Sequence, residues 1–243
     1  MNGTLVIFRR EIGAYLRSPV GYLVAAVVLL LDGLLFYAQA LGPSAGERLS
    51  GEVLAAFFYN ASGLTVVAAV VLSIRLIAEE RQTGTQVLLN TSPLRDWEIV
   101  LGKYLSALAF LTGITLVTLY MPLLILVNGK VSVSQILVGY LGLVLLGSAV
   151  LAIGVFATAL TRHQLVAAAV GSVVVATFML FWPLSQVVGP PVSLVFAALA
   201  LHGRHFAGFQ SGLLHTRDVF YYLAVTYFFL LAATKVMEAK RWE

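Results

Sequence analysis

The residues most able to do chemistry are gathered in one stretch of a sequence that otherwise carries little charge. Residues 78–103, AEERQTGTQVLLNTSPLRDWEIVLGK, contain four acidic and three basic residues between two long apolar runs. Glu79, Glu80 and Arg81 offer ion pairs, and the run VLL at 87–89 offers a hydrophobic contact beside them. A docking surface for a partner protein explains the charges and leucines together. A solvated loop whose leucines dip into lipid headgroups explains them equally well.

Turn and capping residues divide this stretch. Gly84 tolerates the backbone angles of a turn, and Thr85 can cap the segment that follows. Ser92 and Pro93 have the residue types of a helix N-cap and first turn, and Asp96 follows near the positive end of the next helix. The residues at 78–102 are therefore predicted to form a compact helical hairpin rather than a plain connector.

A second candidate is Asp32, the only acidic residue well inside an apolar run. A charge buried in a membrane is costly, by at least about 2.5–3.5 kcal/mol, and is therefore a functional candidate. Asp32 and Asn60 are predicted to lie about 4–5 Å apart in depth, because a helix rises 1.5 Å per residue. Two interpretations stay open: a hydrogen-bonded structural pair, and a gate or the wall of a polar cavity.

Patterns for metal binding, nucleotide binding and catalysis are missing. The four histidines, which lie at positions 163, 202, 205 and 215, form no H-E-x-x-H arrangement. Neither Gly-Lys pair, at 102–103 and 129–130, has the following Ser or Thr of a nucleotide-binding loop. Cysteine is absent, which excludes disulfides and thiolate metal sites. We expect that the chain is not itself an enzyme and that it binds no cofactor or metal.

The composition indicates which elements must position these residues. The chain has 243 residues, of which 60% are hydrophobic and 11% charged, whereas a soluble domain has about 25% charged residues. Five apolar stretches approach the roughly 20 residues that a helix needs to cross the hydrocarbon core, and a sixth is slightly shorter. An all-α membrane protein is predicted, with six transmembrane helices at 20–41, 54–77, 103–127, 134–160, 164–182 and 219–236. The first run is too long for the apolar region of a signal peptide and is predicted to be an uncleaved helix.

The distribution of Lys and Arg predicts the orientation. With the N-terminus inside, eleven of these residues lie on the inner side and four lie outside, namely Arg48, Lys130, Arg204 and Arg217. The positive-inside rule therefore places both termini in the cytoplasm, together with residues 78–102. A multi-pass protein of the cell inner membrane is expected.

Two further segments flank the spans. Residues 1–19 combine apolar and basic positions in a pattern typical of a helix lying in the inner interface. The membrane domain is predicted to occupy 20–243 and to include an outer segment at 183–218. This segment holds GPP at 189–191 and then about ten apolar residues, too few to cross the membrane, so a re-entrant or amphipathic element is expected before the last helix.

Three pieces of the sequence together resemble the permeases of ABC-2-type ABC transporters. Residues 79–103 resemble the cytoplasmic coupling region of that family, and residues 10–23 resemble its amphipathic lead-in. HFAGFQSGLLHTRDVFYYLAVTYFFLL at 205–231 resembles the last loop and last span of the gliding-motility-type branch. The matching coupling residues include Glu79, Glu80, Gly84, Thr85, Leu88, Leu89, Pro93, Ile99, Gly102 and Lys103. The matching outer-loop residues include His205, Phe206, Phe209, Gly212, Arg217 and Asp218.

The resemblance implies a function and a set of partners. It implies a permease subunit that couples ATP hydrolysis, by a separate cytosolic ABC ATPase, to export or to work on cell-envelope components. ATP and Mg²⁺ are expected on that ATPase, and a second permease, identical or related, is expected beside this chain in the lipid. Additional envelope proteins are possible partners, and nucleic acid is not expected.

One position departs from the family pattern. Val87 stands where many members have Glu, so a charge contact to the ATPase is missing or is made by Glu79 or Glu80. Two other classes stay open as alternatives. An ion-coupled secondary transporter would use Asp32 and need no ATPase. An intramembrane enzyme would need paired catalytic residues at one depth, which the sequence does not supply.

Overall fold

The computed structural model describes residues 3–40, 42, 49–78 and 94–240. The described chain is helical. Its elements are α1 (Gly3–Arg17), α2 (Pro19–Ala40), α3 (Ser50–Ser73), α4 (Asp96–Val117), α5 (Tyr120–Asn128), α6 (Val133–Leu160), α7 (Gln164–Val187), α8 (Val192–Leu199), α9 (Ala207–Gln210) and α10 (Thr216–Lys240).

Six helical segments are long and apolar enough to cross a membrane, which confirms the predicted number of spans. They are α2, α3, α4 together with α5, α6, α7 and α10. The helix of the fifth span, predicted at 164–182, continues through Pro183 to Val187. The third span is not a single helix. It is interrupted at Thr118 and Leu119, where the Thr118 hydroxyl donates to the Thr115 carbonyl.

α6 forms the centre of the bundle. It is hydrophobic on all sides and contacts α3, α4, α7 and α10, as expected for a helix that is surrounded by others. Glycines on α6 allow these close approaches, because a side chain at Gly139 or Gly142 would collide with Phe58 or Phe209. α3, α4, α7 and α10 are therefore arranged around one central helix, and α2 packs on α3.

The segment between α7 and α10 returns into the bundle. α8 runs back along α7, so that Phe196 stacks on Phe181 with ring centroids 5.3 Å apart. The Leu201 amide then donates to the Phe178 carbonyl. Phe178 precedes the end of α7 at Val187 by nine residues, or about 14 Å of helix. The predicted re-entrant element before the last helix is thus present.

Candidate functional site

The predicted coupling region lies largely outside the described residues. The coupling residues that lie outside them are Glu79, Glu80, Gly84, Thr85, Val87, Leu88, Leu89 and Pro93. The structure describes both flanks of this region, which are the end of α3 with Leu76 and Ile77, and the beginning of α4. Ile99, Gly102 and Lys103, which also carry the family resemblance, are buried in α4.

α1 packs closely on the α4 flank. A Cβ atom at Gly102 would lie 2.7 Å from Cβ of Ile7 and 2.9 Å from the Thr4 carbonyl oxygen. Ile7 itself is only 2% exposed. The amphipathic pattern of residues 1–19 correctly predicts a helix, but the apolar face of that helix covers α4 and is not simply immersed in lipid.

A buried ion pair joins the same two helices. Lys103 Nζ lies 3.2 Å from Glu11 Oε1, and the Lys103 side chain is 2% exposed while that of Glu11 is 16% exposed. Burial by itself raises the pKa of Glu11, but Lys103 and Arg10 together outweigh burial and bring this pKa below its ordinary value. The carboxylate is therefore the form that the α1–α4 contact stabilises.

α1 also contacts the other flank. The Tyr15 hydroxyl donates to the Leu72 carbonyl near the end of α3, at 2.9 Å. The Arg75 guanidinium donates to the hydroxyl of Ser18, which lies between α1 and α2, at 2.8 Å. One short helix is thus bonded to the chain on both sides of the predicted coupling region.

Sequence reasoning missed the pairing of Glu11 with Lys103. Two signals were available: Glu11 is the only acidic residue of residues 1–19, and Lys103 stands at the start of an apolar run. An acidic residue, Glu11, and a basic residue, Lys103, at the same predicted depth suggest an ion pair. The sequence separation of 92 residues hides it.

Asp32 and Asn60, the predicted intramembrane pair, lie at a similar depth in the bundle, but the Asn60 side-chain amide does not donate a hydrogen bond to Asp32. Phe36 of α2 meets Phe57 of α3, with ring centroids 6.1 Å apart. Asp32 is four residues before Phe36, or about 6 Å, and Asn60 is three residues after Phe57, or about 4.5 Å. Because α2 and α3 run in opposite directions, both residues lie on the same side of the Phe36–Phe57 contact. Asp32 is 4% exposed. The buried Nδ2 atom of Asn60 has no hydrogen-bond partner among the described residues, so it does not donate to Asp32.

The outer-loop residues form a buried polar cluster that holds the re-entrant segment on α10. His205 Nδ1 lies 2.8 Å from Asp218 Oδ1, and its Nε2 lies 3.2 Å from the Ala198 carbonyl oxygen. The Tyr221 ring stacks on His205 and its hydroxyl donates to the Leu199 carbonyl. Arg217 reaches the same Asp218 oxygen at 3.4 Å from an exposed position.

The other outer-loop residues fill the space beneath this cluster. Phe206 and Phe209 are fully buried. Gly212 has a φ angle of +77°, a conformation that glycine adopts at little cost, and it closely approaches Gln135 of α6. His202 extends the anchoring to α3, where its Nε2 lies 2.8 Å from the Ser62 hydroxyl. These contacts fasten the re-entrant segment to three helices.

The comparison with protein families decides the assignment. The family model described as ABC-2 family transporter protein matches residues 5–237, nearly the whole chain. The chain belongs to the ABC-2 transporter family. A search of curated proteins gave no match.

Family membership and fold together establish a multi-pass membrane protein that is the permease component of an ABC transporter. Such a permease has no ATPase of its own. Among the described residues there is no group of three or more metal-ligating side chains.

Proposed function

We propose that this ABC-2 permease spans the cell inner membrane and couples ATP hydrolysis by a separate cytosolic ATPase to export, or to work on cell-envelope components. ATP and Mg²⁺ bind the partner ATPase, and a second permease, identical or related, completes the membrane unit. The outer-loop resemblance supports a place in the gliding-motility-type branch. The observation that carries the proposal is the attachment of α1 to both flanks of the predicted coupling region.

This attachment supplies a path for the coupled motion. A force on residues 79–93 reaches the end of α3 and the start of α4, and the contacts of Tyr15 and Glu11 transmit it to α1. A single residue, Ser18, separates α1 from α2. Movement at the coupling region therefore changes the position of the first span without any contact between that span and the ATPase.

Charge reversal tests the coupling. Glu79→Lys combined with Glu80→Lys is expected to leave the permease folded and to abolish ATP-dependent transport in vesicles that contain the copurified ATPase. Glu52→Lys makes the same charge reversal at an exposed residue at the opposite end of α3 and is the control; its unfolding midpoint is measured as well, because Glu52 accepts a hydrogen bond from the Leu49 amide. Unchanged coupling in the double variant would argue against a docking role for these glutamates.

The orientation has its own test, because the chain contains no cysteine and any introduced thiol is unique. Thr85→Cys is expected to react with a membrane-impermeant maleimide only when the reagent has access to the cytoplasmic side. Labelling from the periplasmic side would place the coupling region out of reach of an ATPase and would refute the proposal.

A second candidate, ion-coupled secondary transport, is favoured by one observation: Asp32 is buried inside a span. In that case ion-driven transport persists in vesicles that contain the permease alone. An ATP-driven permease is inactive there and regains transport when the ATPase is added.

A further inference from the structure

A groove lies between α4 and α10 in the half of the bundle that is predicted to face the cytoplasm. Its volume is about 280 Å³. Its walls are almost wholly apolar and are formed by Trp97, Val100 and Leu101 of α4 and by Tyr227, Leu230 and Leu231 of α10. Lys235 and Glu238 of α10 lie at one end.

The lining of the groove runs along α10 from headgroup level into the inner leaflet. Its uncharged part, from Tyr227 to Thr234, measures about 10 Å, and the charged residues extend the lining to Glu238, about 16 Å from Tyr227. Half of the hydrocarbon core measures about 15 Å. The charged end lies at the helix end that is predicted to be cytoplasmic, so the uncharged part covers about two thirds of the inner leaflet, beginning at its headgroups.

The walls of the groove open towards the lipid. Tyr227 is 70% exposed, Trp97 is 46% exposed and Leu231 is 45% exposed. Trp97 stands at the first turn of α4, the level at which tryptophan is enriched in membrane proteins. An apolar groove that begins at headgroup level and opens sideways fits the upper part of a single acyl chain.

The charged end has the pattern of a zwitterion. Lys235 Nζ lies 2.7 Å from Glu238 Oε2, and both side chains are well exposed, at 67% and 44%. The Lys235 ammonium has further N–H groups for a phosphate, and the Glu238 carboxylate has further lone pairs for an ammonium. A headgroup that carries a phosphate and a primary ammonium two carbons apart can satisfy both without breaking the pair.

We infer that the α4–α10 groove binds a phospholipid of the inner leaflet whose headgroup is phosphoethanolamine. One acyl chain lies along Leu101, Leu230 and Leu231, the phosphate binds Lys235, and the ammonium binds Glu238. A choline headgroup lacks the N–H donors for Glu238, and a glycerol headgroup leaves this carboxylate facing a net negative lipid. The selectivity arises from the chain's own residues and does not depend on the ATPase.

The test is competitive lipid retention by the purified full-length permease, measured by native mass spectrometry. Equal amounts of phosphoethanolamine, phosphocholine and phosphoglycerol lipids with identical acyl chains are offered. The wild type is expected to retain the phosphoethanolamine lipid about three- to fivefold over either competitor, the upper part of the range given by one exposed ion pair. Lys235→Ala is expected to remove most of this preference, and Glu238→Gln to shift it to the phosphoglycerol lipid.

Occlusion of the groove tests the acyl-chain part. Leu231→Trp is expected to lower retention of all three lipids, whereas Leu223→Trp, at a similarly exposed leucine of α10 outside the groove, is expected to leave it unchanged. Equal retention of the three lipids by the wild type, or a preference for the phosphoglycerol lipid, would overturn the inference. A folded Leu231→Trp variant with normal retention would overturn it too. If Leu231→Trp does not fold, the exposed Lys235→Ala variant tests the inference, which fails if that variant keeps the preference for the phosphoethanolamine lipid.

Discussion

The contact between α1 and α4 at Gly102 allows a sharp quantitative test. Gly102→Ala adds a Cβ atom 2.7 Å from Cβ and 2.8 Å from Cγ2 of Ile7, distances below van der Waals contact. Overpacking of this kind costs about 1–3 kcal/mol. A Gly→Ala change within a helix also stabilises by about 1 kcal/mol through helix propensity, which conceals part of that cost.

A second glycine of α4 removes this ambiguity. A Cβ atom at Gly113 would meet nothing within 4 Å, so Gly113→Ala records the propensity gain alone. The difference between the two variants should therefore be the full steric cost, about 2 kcal/mol. For a chain of this size such a difference corresponds to about 4–8 °C in the midpoint of thermal unfolding.

The assay compares the thermal unfolding midpoints of wild type, Gly102→Ala and Gly113→Ala in one detergent, followed by ATP-dependent transport with the partner ATPase. Gly102→Ala is expected to unfold at the lowest temperature and to transport least for each ATP hydrolysed, because α1 is displaced from α4. Equal midpoints for the two alanine variants would refute the reasoning, since the close approach of α1 would then cost nothing to disturb.

Three further predictions concern the buried charges. Folding lowers the pKa of Glu11, so the stabilisation that this carboxylate contributes is complete above the ordinary pKa of 4.5 and is lost as the pH falls through the lower pKa of the folded state. The difference in unfolding midpoint between wild type and Glu11→Gln should therefore be largest at neutral pH and vanish in acid. Asp218→Asn replaces a buried carboxyl group, 2.8 Å from His205 Nδ1, by an amide, and it should lower stability by about 1.5–3 kcal/mol in chemical or thermal unfolding. Asp32→Ala is expected to abolish transport while copurification with the ATPase stays normal, as a gate or a polar cavity wall requires.

Each of these predictions has a contrary result, and the Asp218 prediction also has a control variant. A pH-independent difference for Glu11→Gln would show that the charge of Glu11 does not hold α1. His215→Ala alters an exposed histidine two residues before Arg217 and should leave stability unchanged; an equal loss in both outer-loop variants would argue against the anchoring role of Asp218. Normal transport by Asp32→Ala would assign Asp32 to packing alone.

Much of the architecture was accessible from composition. The number of spans follows from the length of each apolar run, because a helix in lipid must satisfy its own backbone and needs a fixed length to cross. The re-entrant segment was predicted for the same reason, since the run after residues 189–191 is too short to span. The interruption of the third span was not predicted. Residues 103–127 read as one apolar run, but Pro122 has no N–H to donate to the Thr118 carbonyl four residues earlier. At the break the Thr118 hydroxyl bonds Thr115 and Tyr140.

The candidate sites divide in the same way. The family resemblance selected the outer-loop residues. It did not show that His205 contacts Asp218 and Tyr221, because these contacts depend on α8 folding back along α7. A hydrogen bond between Asp32 and Asn60 was one of the two interpretations. The helices bring the two residues to one depth, and the Asn60 amide nonetheless does not donate to Asp32.

The sequence by itself determined that this chain spans a membrane six times and where its charge is concentrated, because hydropathy, length and charge are local properties. Only the tertiary structure decided which face each helix turns inward. The orientation of each helix about its own axis brings Glu11 to Lys103 across 92 residues, places Gly102 against Ile7, and leaves the groove between α4 and α10 open. Such contacts depend on the packing of several helices at once, and no single stretch of sequence specifies them.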